Sequence, residues 1–213
     1  MFANFIFTII FIIGIYYLLR NLLLLSSAAT ASKDALYPKT EEEFAGIIIP
    51  NEWKPMEPLT KRAKSYRLVK WGTVVILCVL TVLLVLVVTT DWLGESFFTL
   101  AYIFFILIDS VRHSGNLFIL PKGIILNGKL VSYHQIKDCE TEQIIRWHPL
   151  YGLDDKVNNA YKLTFRLKRT LFQPQFIVVQ TAAQLDQIIT LLNQRGVRCY
   201  KQLPEQKERA PYV

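Results

Sequence analysis

The chain has 213 residues, 24 Lys/Arg against 17 Asp/Glu and a net charge of +7, and 52% of it is hydrophobic. Its three cysteines, Cys78, Cys139 and Cys199, lie far apart with no CxxC pair, which excludes a zinc ribbon and implies no disulfide framework, in keeping with a reducing, cytoplasmic setting. Residues 109–213 hold 15 Lys/Arg and 9 Asp/Glu; beside long apolar runs, that excess reads as membrane orientation rather than nucleic-acid binding.

Residues 1–25 read as a first transmembrane helix. Positions 2–19 are uncharged, followed by Arg20 and Leu22–Leu25. A secretory signal would open on Lys or Arg and have a shorter apolar core, so a retained helix with an outside N-terminus is expected. Residues 26–68 read as a polar cytoplasmic connector, with the acidic run Glu41, Glu42 and Glu43 and with Pro50, Pro55 and Pro58 breaking any continuous helix. Lys61, Arg62, Lys64, Arg67 and Lys70 then crowd the start of a second span. Anionic lipids of the cytoplasmic leaflet favour each such residue by about 1 kcal/mol, and a topology signal is their plainest role.

Trp71–Thr90 is twenty residues without a charge, enough at about 1.5 Å per residue for the roughly 30 Å hydrocarbon core of a bilayer. After the acidic stretch DWLGES comes a third apolar segment, Phe97–Ile108, so residues 69–111 read as a helical hairpin with both ends cytoplasmic. Its charge-free stretch, between Glu95 and Asp109, is 13 residues, and a full crossing needs Trp92 and the flanking acids at the interface. Asp109 and Arg112, three apart on one helical face, read as an interfacial ion pair rather than a proton path.

Residues 115–200 change to the pattern of a small soluble domain, with a polar tail over 201–213. Leu117–Leu120 and Ile124–Leu126 flank Pro121-Lys122-Gly123, and Asn127-Gly128 between apolar runs is a hairpin signal. Leu130–Ile136, Ile144–Trp147 and Phe176–Val179 read as further strands, and 148–159 as a loop rich in turn formers. Tyr161, Leu163, Phe165 and Leu167 alternate with Lys162, Thr164, Arg166 and Lys168, the period of a half-buried strand. A closing helix has Thr181 as N-cap, Gln184 as its capping-box partner, the stripe Leu185, Ile188, Ile189 and Leu192, and Gly196 as terminator.

Leu120-Pro121-Lys122-Gly123-Ile124 and the later Tyr133-His134-Gln135-Ile136-Lys137 resemble the strand opening and the following motif of bacterial membrane proteins with a pleckstrin-homology-like domain. His134 and Gln135 stand where Trp and an acidic residue are commoner in that family. The resemblance covers about residues 115–200. It implies an α+β fold, a small partly open β-barrel capped by the C-terminal helix, behind about three transmembrane helices, and it implies no activity.

The candidate chemistry is sparse. His113, His134 and His148 have no ligand partners at metal spacing, Asp154-Asp155 offers too few oxygens for a hard cation, and neither GxSxG nor a P-loop occurs. No metal, no cofactor and no catalytic residue are therefore expected. The remaining candidate is basic: Lys162, Arg166, Lys168 and Arg169, three of them on one strand face, suited to anionic headgroups or an acidic partner. The expected protein is a multi-pass protein of the cell membrane with its C-terminal domain in the cytoplasm. Its expected role is non-catalytic binding or scaffolding through lipids or a protein partner, with an accessory subunit of a transporter or membrane enzyme as the alternative.

Overall fold

The computed structural model describes residues 2–50, 52–89, 102, 106, 116–168 and 175–201. The chain divides into two compact units, residues 1–30 with 59–113 and residues 31–58 with 114–213.

The first unit holds α1 (Phe2–Ala31) and, beyond the short α2 (Glu41–Ala45) of the second unit, α3 (Lys64–Thr89). Both helices are long and apolar enough to cross a membrane. Only 22% and 17% of their apolar windows are buried, unlike the core helix of a soluble protein. In α3 the buried residues Tyr66, Thr73, Ile76 and Leu80 form one stripe, while Leu68, Trp71, Val75, Val79, Val82 and Val85 stay exposed. Its threonines satisfy their hydroxyls inside the helix: Thr73 Oγ1 donates to Val69 O, Thr81 Oγ1 to Leu77 O and Thr89 Oγ1 to Val85 O, at 2.7–2.8 Å. A hydroxyl without such a partner would be costly in hydrocarbon. The expected first helix ended at residue 25, but α1 continues through the small residues to Ala31, where Thr30 Oγ1 bonds back to Ser26 O. Of the expected third span, only Tyr102 and Ile106 are described, both helical and exposed. The rest of Phe97–Ile108, with Asp109, Arg112 and His113, lies outside the described residues.

The second unit contains two sheets. Strands β1 (Ile47–Ile49), β2 (Lys54–Pro55), β6 (Ile136–Gln143), β7 (Tyr161–Leu167), β8 (Gln175–Val179) and β9 (Cys199–Lys201) form one, in the order β2-β1-β8-β7-β6-β9. Strands β3 (Leu117–Leu120), β4 (Gly123–Leu126) and β5 (Lys129–Ser132) form the other. All pairings are antiparallel except β6 with β9. Among the described residues the ladders do not close into a barrel. The larger sheet ends in β2, two residues long with a proline, and β9, three residues long, too short to seal a sheet edge to edge.

The Asn127-Gly128 hairpin forms as expected. Both residues take positive φ, 52° and 70°, as a two-residue turn that follows the strand twist requires. Buried Asn116 pins it: its Oδ1 accepts the Gly128 N–H at 2.7 Å and its carbonyl accepts the Asn127 N–H. The motif at 133–137 also has a local structural role. Ser132 and Gln135 form a capping box around a 3-10 turn, and the Tyr133 hydroxyl donates to Leu120 O.

Residues 26–68, expected as a polar connector, instead fall mostly within the sheet unit, which takes in 31–58. Ile47↔Val179 and Ile48↔Val178 pair β1 with β8, Tyr37 bridges Ile119 of β3, Met56 Sδ accepts the Leu117 N–H, and the Phe44 ring meets Phe118 edge to face at 5.9 Å. Prolines and acids mask an apolar set (Tyr37, Phe44, Ile47, Ile48, Met56) that completes a core lying far along the chain. The acidic run becomes α2, with a capping box between Thr40 and Glu43.

The charged stretch 136–143 forms β6, whose buried positions are Ile136, Cys139 and Thr141. Residues 144–147, expected as a strand, instead open the loop that follows. In the closing helix, α4 (Ala182–Gln194), Thr181 Oγ1 caps Gln184 N as expected, but the Gln184 side chain donates to Glu42 O instead of completing a capping box. Gln187 reaches Glu43 Oε1 in the same way. α4 buries Leu185, Ile188 and Leu192.

A Cβ at Gly123 would stand 2.4 Å from the Val131 backbone oxygen across the β4–β5 pair. Gly123→Ala is therefore expected to destabilise the full chain by about 1–3 kcal/mol in denaturant titration, the range for overpacking. Burial opposes ionisation of Glu43, but hydrogen bonds from the Lys39 and Thr40 amides and from Gln187, with the Lys39 charge, outweigh it and hold the carboxyl below the ordinary 4.5. A lowered folded value means this contribution is present above pH 4.5 and lost as the pH falls through the folded value. Glu43→Gln should flatten the acid limb of stability against pH; an unchanged acid limb would refute the role.

Candidate functional site

The basic strand face exists, but it is not free. Register pairs Glu142 with Lys162 and Asp138 with Arg166 across β6 and β7. Lys162 Nζ lies 3.4 Å from Glu142 Oε2 and 5.5 Å over the Phe176 ring. Arg166 Nε lies 3.8 Å from Asp138 Oδ1, and its NH2 group bonds Glu140. The strand bearing the acids was not legible as their partner, so the face looked purely positive. Lys168 of the expected cluster is exposed, and its amide donates to Gln135 O at 2.8 Å. Arg169 lies outside the described residues.

Glu142 meets a histidine on its other side. The His148 side chain is 3% exposed, its Nδ1 accepts the Leu150 N–H at 3.0 Å, and its Nε2 lies 3.3 Å from Glu142 Oε2. With Nδ1 accepting, the proton of a neutral ring sits on Nε2, toward the carboxylate. The approach is not aligned as a hydrogen bond, so the two groups are neighbours rather than a bonded pair. Asn158 Oδ1 accepts the Gly152 N–H and Asp154 Oδ1 the Lys156 N–H, which makes the 144–160 loop a tightly bonded cover. Beneath it, Ile48, Ile144, Val157, Ala160 and Val178 form a core cluster. Asp154 thus serves a turn. Among the described residues, no group of three His, Cys, Asp or Glu is placed to hold a metal ion.

Two other groups complete the picture. Lys61, Arg62, Lys64, Arg67 and Lys70 are all exposed, the first two in the turn before α3 and the others along its first turns. Cys139 and Cys199 form a disulfide between β6 and β9, which corrects the expectation of none. They are register partners with Cα atoms 4.5 Å apart, within the span a disulfide bridges. A separation of 60 residues hides that pairing from any reading of spacing.

Comparison with known proteins finds no match among family models, curated proteins or solved structures.

The geometry is that of an ion-paired, hydrogen-bonded sheet surface. A double-mutant cycle on Glu142→Ala and Lys162→Ala should give a coupling of about 0.2–1 kcal/mol, the scale of partly exposed pairs. A coupling of zero would mean that the two charges act independently and that the lysine is available to outside ligands.

Proposed function

We propose that this chain is a multi-pass membrane protein whose sheet unit, pleckstrin-homology-like in kind, lies in the cytoplasm and serves as a non-catalytic binding or scaffold module. The pairing of β1 with β8 supports this reading most strongly. Residues before α3 and residues after it share one sheet, so both must lie on the same side of any bilayer. If α3 crosses, the chain recrosses between Thr89 and Asn116, as the expected hairpin requires. Lys61, Arg62, Lys64, Arg67 and Lys70 at the start of α3 favour the cytoplasm for that side. The exposed apolar faces of α1 and α3 take lipid as their partner.

A protein partner is the second part of the proposal, and the sheet edges suit it better than the β7 face. Strand addition uses unpaired backbone groups, whereas Lys162 and Arg166 already hold carboxylates. The accessory-subunit reading ranks below this one, because Trp71–Thr89 carries no acidic or basic side chain to mark a substrate path.

Single cysteines at Lys33 and Lys122, both exposed, test the topology in a background with Cys78, Cys139 and Cys199 all replaced by Ser. Both should resist a membrane-impermeant maleimide in intact cells and react after permeabilisation. Labelling on opposite faces would break the shared-side argument, and labelling of both from outside would invert the proposed sidedness.

A further inference from the structure

The Cys139–Cys199 bond stands oddly with a cytoplasmic sheet unit. Cytosolic disulfides are rarely permanent staples; where they occur they are mostly transient, catalytic or redox-sensing. We propose that Cys139 and Cys199 form a reversible redox latch that holds β9 on the edge of β6, an inference that rests on the cytoplasmic placement above.

The parts around the bond fit a latch. β9 is three residues long and pairs in parallel with Cys139–Thr141 of β6. Besides the disulfide and that short ladder, the Cys139 N–H donates to Arg198 O at 2.9 Å and Thr141 Oγ1 donates to Tyr200 O at 3.4 Å. Tyr200 is 51% exposed and adds little burial. Val197, just before, is buried, and its N–H donates to Leu192 O. That anchor confines any release to the residues after it. Freeing β9 uncovers the backbone edge of β6, the kind of edge to which a partner strand adds.

Access is one-sided in the way exchange requires. Cys139 is fully buried, while Cys199 is partly exposed, so an incoming thiolate meets the sulfur of Cys199. A low-molecular-weight thiol of the glutathione type bonds to Cys199 Sγ as the Cys139–Cys199 bond breaks, and the electron pair leaves on Cys139 Sγ, which takes up a proton. A second such thiolate attacks the outer sulfur of the mixed disulfide, and Cys199 departs with the electron pair and is protonated. Two small thiols become one disulfide, and the protein pair gains two electrons and two protons. The small disulfide re-forms the bond by the reverse sequence.

The test uses the full chain with Cys78→Ser in lipid nanodiscs, equilibrated across ratios of reduced to oxidised glutathione. Thiol trapping and mass spectrometry read the bond, and hydrogen exchange reads the edge. The two thiols should appear together at an intermediate ratio, and the Cys139 amide should then exchange at least about tenfold faster, a local opening that leaves Ile177–Val179 unchanged. Cys199→Ser should show the fast exchange at every ratio. A pair that stays oxidised or stays reduced throughout, or equal exchange in both states, overturns the latch. Labelling of reduced Cys199 by impermeant maleimide from outside intact cells overturns the cytoplasmic placement as well; labelling only after permeabilisation keeps that placement.

Discussion

The pairing of β1 with β8 is the constraint on which the rest depends. Two register pairs, Ile47↔Val179 and Ile48↔Val178, join segments separated by a helix of bilayer length. The segment before α3 is therefore part of the domain that follows it. Its apolar residues complete that domain: Tyr37 bridges β3, Met56 accepts the first amide of β3, and Phe44 packs on Phe118. Because β3 and β4 are buried at every position, a neighbour on each side is required, and the early segment supplies part of one.

The same unit shows how a charged surface becomes structural. On β7 alone, alternate basic residues suggest a docking face. In the sheet, β6 brings Asp138, Glu140 and Glu142 alongside, and the His148 loop closes over Glu142 from the other side. Cross-strand pairs of opposite charge stabilise a sheet modestly and specify its register. The larger sheet ends in the short strands β2 and β9, and the β9 edge is tied down by a disulfide.

The helices follow the rule of satisfying polar groups internally. Thr30, Thr73, Thr81 and Thr89 each return a hydroxyl to the carbonyl four residues back, which leaves apolar faces to the surroundings. Polar residues in so apolar a segment thus cost little, and α3 needs no partner for them.

By itself the sequence determined what depends on near neighbours. Hydrocarbon-length runs set α1 and α3, Asn127-Gly128 set its hairpin, period-two alternation set β7, and Thr181 with the Leu185–Ile188–Leu192 stripe set the final helix. Each signal lies within a few turns or a few residues of the structure it makes. Tertiary structure alone decided the membership of residues 31–58 in the sheet unit, β6 as a strand of acids, the carboxylates that neutralise Lys162 and Arg166, and the Cys139–Cys199 bond. Those features join residues from 20 to more than 100 positions apart, and their pairing comes from ladder register and core packing, which no local pattern encodes.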